Sequence, residues 1–410
     1  MKTFAVLPAA GMLYVVFVAG QSGAPNAPPK EPMFLMHKIG DDRSEGIAAI
    51  DIDRDGKLDV TSGAYWYKAP ATLYSADKWI PNPLRECRRS GEFVVNCGEF
   101  AVDVNRDGYV DLISAGWQED GIFYYENQKT PGVQWPKKLI APSRATEGLA
   151  AGDIDGDGSL DLVAAHFSPS SIFWVNVKGG TAVRREVGKE GDGHGAGIGD
   201  VDGDGKKDIL TVRGWWRQVD IASDKWEWMP EWNVNNLAGF EMVVYDVNGD
   251  KRNDVIYGHG HSYGLYWFEQ GKDAAGKRTW TKRVIDESYS QIHNVKLVDL
   301  DGDGAPELLA GKRYRGHNEK DPGSFDPLAI YYYKIDAAKG TFTRHTVSYN
   351  STAGAGTQFA VVDLDADGDL DILTAGKTGQ YWFENMSVSR TPWQERGLLL
   401  APWGEPPAAR

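Results

Sequence analysis

The chain has almost no cysteine: Cys87 and Cys97 are the only two in 410 residues. That excludes a disulfide-stapled scaffold and a cysteine-built metal site. In an exported protein a pair so close in sequence is expected to close one small loop as a disulfide. Long apolar runs are also missing. After the first 20 residues nothing approaches the ~20 apolar residues that a membrane span needs, and no segment keeps a helical period. Positive charge is in short supply. Lys and Arg number 44 against 58 Asp and Glu, a formal net charge of −14. Nucleic acid and anionic membrane surfaces select basic faces, so both are set aside as partners.

Glycine and aromatic residues are plentiful, with 48 Gly, 15 Trp, 18 Tyr and 14 Phe. With 41% hydrophobic and 25% charged residues the composition is globular. At the N-terminus Lys2 precedes an apolar run from Phe4 to Val18 that contains Pro8 and Gly11 and ends in small residues at Ala19 and Gly20. The run is too short for a membrane anchor and reads as a signal peptide over residues 1–20. Residues 21–32 then read as a flexible, Pro- and Gly-containing linker. The protein is therefore expected to be secreted or periplasmic.

A repeat organises the remainder. Seven segments follow the pattern D-x-[DN]-x-D-G-x-x-[DE], starting at Asp51, Asp103, Asp153, Asp200, Asp246, Asp299 and Asp363, the one from Asp246 departing at the Gly position. The starts lie 52, 50, 47, 46, 53 and 64 residues apart. Each unit has a short apolar run before the loop and another after it. An aromatic run follows, such as IFYYEN from Ile122 or LYWFE from Leu265, and then a fourth run. Runs rich in Val, Ile, Tyr, Phe and Trp between Gly and Asp are strands. Four antiparallel strands repeated seven times predict an all-β fold, a seven-bladed β-propeller, over residues 33–402 with a tail at 403–410. A solenoid of hairpins is the alternative. Ring closure needs a strand from one end of the chain in the last blade; the run from Phe34 and that from Trp393 both qualify.

The loops are expected to bind Ca²⁺. Oxygen ligands at positions 1, 3, 5 and 9, with Gly at 6 to turn the chain, make a hard-oxygen cage. The ligand sets are Asp51, Asp53, Asp55 and Asp59, then Asp103, Asn105, Asp107 and Asp111, then Asp153, Asp155, Asp157 and Asp161. Next come Asp200, Asp202, Asp204 and Asp208, followed by Asp246, Asn248, Asp250 and Asp254. The last two are Asp299, Asp301, Asp303 and Glu307, and Asp363, Asp365, Asp367 and Asp371. These positions hold 26 of the 58 acids, a density that calls for cations. The Asp246 loop has Lys251 in place of Gly and is expected to be the weakest site. The loops resemble those of FG-GAP/VCBS repeat proteins, integrin α-chain propellers among them. That resemblance spans residues 34–400 and implies structural Ca²⁺ on one face of a disc.

If the loops mark one face, the other face carries what precedes the first strand and follows the second. Before the first strand stand Glu45, Glu99, Glu147, His194, Glu241, His293 and Gln358. After the second stand Trp66, Trp117, His166, Arg213, Trp215, His259, His261, Lys312, Arg313, His317 and Lys377. Six of eight histidines fall on this rim, which describes a polar ligand site for a small sugar or glycan. His259-Gly-His261, with His293 or Glu241, is a candidate for a second divalent metal.

Three segments, from Glu190, Gly258 and Gln291, resemble the propeller of the aldos-2-ulose dehydratase family. The resemblance implies a carbon–oxygen lyase that dehydrates keto-sugars such as 1,5-anhydrofructose. Family members of the fungal type carry cupin-type domains after the propeller. This chain ends at Arg410, so any isomerase step housed there is expected to be missing. The roles assigned from chemistry are as follows. His261 or His293 removes the proton α to the carbonyl, and Arg213 or Lys312 stabilises the enolate. Glu241, His194 or His317 protonates the leaving hydroxyl. Trp66, Trp117 and Trp215 wall the sugar, with His166, His259, Arg313 and Lys377 as further binding residues. A non-catalytic glycan- or protein-binding propeller and a polysaccharide lyase are the alternatives.

Overall fold

The computed structural model describes residues 31–388 apart from 74–77, 91–92, 95, 169–170 and 236–237. The signal-peptide and tail expectations, and the run from Trp393, lie outside the described residues. Seven four-stranded antiparallel sheets stand around a common axis. Their innermost strands are Ala48–Ile50, Gly98–Val102, Arg144–Gly152, Ala196–Gly199, Val243–Tyr245, Ile292–Val298 and Phe359–Val362, which number blades 1 to 7. Blade 7 is completed by the N-terminal strand Phe34–Gly40, paired antiparallel to Gly379–Asn385. The Phe34 run therefore closes the ring, and a solenoid is excluded.

Burial explains the sequence pattern. Each blade is sandwiched between neighbours, so its second and third strands bury both faces and read as continuous apolar or aromatic runs. Glu307–Lys312 and Asp371–Gly376 are buried throughout, as is Gly379–Asn385. The outer strand Thr181–Gly188 instead alternates exposed and covered residues. The aromatic third strands supply the large inter-blade side chains: Trp174, Tyr331 and Trp382 are each at most 1% exposed. Each is worth roughly 3 kcal/mol relative to exposure. A bulge falls at Ile122/Phe123, Ile172/Phe173 and Ile330/Tyr331, where the third strand meets the fourth. It re-aims the aromatic side chain at the same place in three blades.

All seven acidic loops share one hydrogen-bond scheme. The carboxylate at position 1 accepts from the backbone N–H of positions 5 and 6, as Asp51 does from Asp55 and Gly56 at 3.0 and 2.9 Å. The acid at position 9 is buried and accepts from the N–H of position 2, as Asp59 does from Ile52 at 3.1 Å. Lys251 keeps this geometry by adopting φ 65°, with its N–H 2.9 Å from Asp246. The loops are thus acidic turns built alike.

The two cysteines are free thiols, which corrects the disulfide expectation. Cys87 hydrogen-bonds with Arg85. Cys97 is buried at the start of blade 2, where its electrostatic neighbours are Glu45, Glu147 and Arg313. The two sulfurs serve different surroundings. Burial pushes both thiols up from the usual range.

Candidate metal centre in the channel

On the face opposite the acidic loops, four blades deliver side chains to one point. Glu147 comes from the first strand of blade 3, and His194 from the segment leading into blade 4. His261 comes from the turn after the second strand of blade 5, and His293 from the first strand of blade 6. Ligand atoms of these four lie within 4.8 Å of one another. His194 Nε2 is 2.9 Å from Glu147 Oε2 and 2.9 Å from His261 Nε2. His293 Nε2 is 3.5 Å from Glu147 Oε1.

The opposite ring nitrogens fix the tautomers. His194 Nδ1–H donates to the Ala238 carbonyl. His261 Nδ1–H donates to the Asp321 carboxylate at 3.0 Å, and His293 Nδ1 faces the Gln291 carbonyl at 3.5 Å. Each ring therefore turns its Nε2 inward, toward the Glu147 carboxylate, which can only accept. The Arg313 guanidinium offsets part of the charge here, reaching both Glu147 and His293 Nε2. Three imidazoles and one carboxylate match the donor set of a divalent transition ion such as Zn²⁺.

Gly260 makes the convergence possible. A Cβ there would stand 2.8 Å from His194 Cε1 and 3.2 Å from His293 Nε2. The chain can pass between two imidazoles only without a side chain.

Beneath the histidines lies Arg313. Its Nε and one terminal nitrogen donate to both Glu45 oxygens at 2.7 Å. The other terminal nitrogen donates to Glu147 at 2.8 Å and to His293 Nε2 at 3.0 Å. Lys377 stands 3.8 Å from Glu45. Burial alone would raise the Glu147 carboxyl, but His194, His293 and Arg313 hold it well below the usual carboxylate range. Burial and Arg313 push the His293 imidazole well below its usual value, so it is neutral.

Above the histidines, Arg315–Glu319 forms a left-handed turn, with φ between 39° and 67° at Arg315, His317, Asn318 and Glu319. It lays His317 flat on His261, ring centroids 4.2 Å apart and 6° from parallel. Asp321 accepts from His261 Nδ1 and, at 2.8 Å, from His317 Nδ1. The side chain of His317 is 45% exposed, against 15% for His261. The bond to Asp321 raises the His317 imidazole above its usual value. Burial would raise Asp321 itself, but the two imidazoles hold it well below the carboxylate range.

The other rim residues divide. Trp66 and Trp215 line no site. They belong to the third strands Tyr65–Lys68 and Gly214–Asp220 and lie 2% and 0% exposed in inter-blade cores. His259 is buried among Tyr257, Tyr266 and the Tyr263 carbonyl, so it leaves the metal set to Glu147 and His194. Glu241 faces Lys296 at 3.7 Å. Lys312 is fully buried, donates to Ser290 and Gln291, and is lowered by desolvation to about 8. His166 is buried against Phe173, Arg213 is exposed near Asp192, and Trp117 is half-buried beyond the second strand of blade 2. Asp321 was not among the expected site residues. Its only trace in the sequence is the spacing His317-x-x-x-Asp321.

Among the acidic loops, triads at positions 1, 3 and 9 bring ligand atoms within 4.8 Å in the loops of Asp51, Asp153 and Asp200. Nearby ammonium groups reach the same acids. Lys68 contacts Asp53 and Asp55, Lys178 lies 2.8 Å from Asp157, and Lys334 lies 2.6 Å from Asp301. A cavity of about 340 Å³ lies on this face between blades 4 and 5, lined by Asp200, Lys207, Tyr245, Asp246 and Asn253, away from the histidines.

The fold is a seven-bladed propeller with an acidic turn at each inner hairpin. The chain carries FG-GAP-like repeats: the family model of that name matches residues 103–164, 155–211 and 246–310. Over 151 residues it is 26% identical to the aldos-2-ulose dehydratase of Phanerodontia chrysosporium, a stretch covering 34% of this chain and 16% of that protein. It thus spans about a sixth of that relative. Solved structures that resemble it include an auxiliary nutrient binding protein from Bacteroides ovatus. There the TM-score is 0.46 and the identity 9%, over 87% of this chain and 77% of that one. The extracellular domain of a one-component system from B. thetaiotaomicron gives a TM-score of 0.44 and 11% identity, over 85% and 39% of the two chains. No helix among the described residues is long and apolar enough to cross a membrane.

Proposed function

We propose that this propeller is a metal-supported carbon–oxygen lyase that dehydrates keto-sugars such as 1,5-anhydrofructose. Its site is the channel mouth opposite the acidic loops. The observation that carries the reading is the convergence of three Nε2 atoms and the Glu147 carboxylate within 4.8 Å of one another. The similarity to a dehydratase supports the choice of reaction.

His194, His261, His293 and Glu147 would hold the ion. When bound, the ion polarises a carbonyl oxygen and stabilises the charge of an enolate. The four holders are then unavailable for proton transfer, so the roles first assigned to His261 and His293 move elsewhere. His317 is the exposed imidazole at the mouth, and Asp321 keeps its Nδ1 protonated so that Nε2 is free to accept. His317 takes the proton α to the carbonyl and returns it to the hydroxyl that leaves as water. Arg313 offsets Glu45 and Glu147 below. We further propose that the acidic loops hold structural Ca²⁺ and that the protein works outside the cytoplasm.

The test is ultraviolet absorbance with 1,5-anhydrofructose and a panel of keto-sugars, because elimination beside a carbonyl creates an absorbing enone. The expected result is a rising signal that falls about 10²–10⁴-fold in His317→Ala while bound metal is retained. A flat trace from folded, metal-loaded protein would favour the second reading, a non-catalytic glycan- or protein-binding propeller. Burial of the other histidines is what supports that alternative.

A further inference from the structure

We infer that Asp321 is the positioning residue of the channel centre, holding His261 so that its Nε2 faces Glu147 and His194. The inference rests on reading the cluster as a metal centre.

His261 sits on a turn, Gly258 to Tyr263, between two strands of blade 5. Nothing on that turn fixes the rotation of its ring. His194 and His293 find backbone carbonyls for their Nδ1 atoms; His261 has a carboxylate from another blade, 60 residues away in sequence. A carboxylate behind a liganding imidazole fixes the tautomer, sets the ring plane and raises the basicity of the far nitrogen.

The support for Asp321 is itself built. The Ser324 hydroxyl donates to the Asp321 carbonyl at 2.8 Å and accepts from Gln291 Nε2 at 2.9 Å. The Gln291 carbonyl oxygen of the side chain is in turn 3.2 Å from Lys312 Nζ. Gln291 holds φ 59°, an unfavourable conformation for a residue with a side chain. Tyr263 bonds Asp326 at the far end of the same loop. Lys312 is thus a strut for the loop, which accounts for a fully buried lysine at the edge of the site. The left-handed turn at Arg315–Glu319 brings the chain back so that one carboxylate reaches two imidazoles. Left-handed conformation is unfavourable for residues with a side chain, and strain of that kind persists where the surroundings demand one geometry.

The test compares the full chain with Asp321→Asn and Asp321→Ala, using Co²⁺ alone as the probe. Asn still accepts from Nδ1–H but brings no charge; Ala does neither. Co²⁺ affinity, measured against a competing chelator, should fall about 10- to 100-fold in Asp321→Ala, and Asp321→Asn should lie between. The visible Co²⁺ spectrum should change in both variants. In metal-free protein, ¹⁵N shifts should report His261 as the Nδ1–H tautomer in wild type and as a mixture in Asp321→Ala. Affinity, spectrum and tautomer all unchanged would overturn the positioning role and leave the centre standing. Two Co²⁺ per chain, one of them lost with Asp321, would make it a ligand and also overturn the inference. A wild-type chain that takes up no Co²⁺ would remove the centre and the inference together. Should Asp321→Ala fail to fold, Asp321→Asn carries the same comparison.

Discussion

Arg313→Met removes the cation that sits between two buried carboxylates. The Arg313 side chain is 3% exposed, and its partners Glu45 and Glu147 are 2% and 7% exposed. Breaking a buried pair from one side costs about 3–5 kcal/mol, because the remaining charge is left without a partner. Here two carboxylates lose their shared cation, and Lys377, 3.8 Å from Glu45, and His194, 2.9 Å from Glu147, offer partial compensation. The expected loss is therefore about 4 kcal/mol, read as a lower urea midpoint at unchanged slope. Glu45→Gln in the same background should recover part of it, with a coupling energy of roughly 1–3 kcal/mol. The substitution also frees His293 Nε2 and one oxygen of Glu147 from the guanidinium. Added Zn²⁺ should then restore stability by mass action, about 2.7 kcal/mol at a hundredfold excess over Kd. A loss below about 1 kcal/mol, additive with Glu45→Gln, would refute the account of Arg313 as the counter-charge of the channel.

Further outcomes follow from the same geometry. Excess EDTA should lower the melting temperature if the acidic loops hold Ca²⁺, with Lys68, Lys178 and Lys334 limiting the drop; an unchanged melt refutes the calcium reading. Gly260→Ala should abolish metal binding at the channel, since its Cβ meets His194 and His293, while the fold survives by circular dichroism. Trp215→Leu should destabilise the protein by a few kcal/mol without altering ligand affinity, because the indole lies between blades. Lys312 titrates near 8 when folded and near 10.5 when free. The unfolded chain binds the extra proton between those values, so stability should rise from pH 8 to 10.5, and Lys312→Met should remove that share of the slope.

The blade count and the strand order were legible because a turn repeated at near-constant spacing, and each turn constrains the strands on both sides of it. The convergence of His194, His261 and His293 was also legible, since the repeat says which end of each strand faces away from the acidic loops. Side-chain direction was harder to read. The turns before Trp66 and Trp215 are only two residues long, so the tryptophans fall inside the third strands instead of on the rim. His259 and His261 flank a sharp turn and point apart, which a two-residue spacing cannot reveal. Asp321 lies in a loop with no period at all, and its role depends on a contact between blades. The cysteines misled because nearness in sequence carried no information about which way each sulfur faces.

The closing of the ring sets an order for folding. Phe34–Gly40 leaves the ribosome first, yet its partner Gly379–Asn385 is made some 345 residues later, as the bond between His37 and Glu384 records. Until then the N-terminal strand has no partner, because the strand of blade 7 that receives it is not yet made. Contacts so distant in sequence are slow to form. For that interval the molecule carries an unpaired strand edge, the kind of surface on which chains join one another. An alternative donor of that strand is always present in a crowded compartment: the N-terminus of a second copy. Whether these propellers mature as single rings or as exchanged pairs is thus a contest between the speed of one chain and the concentration of its neighbours.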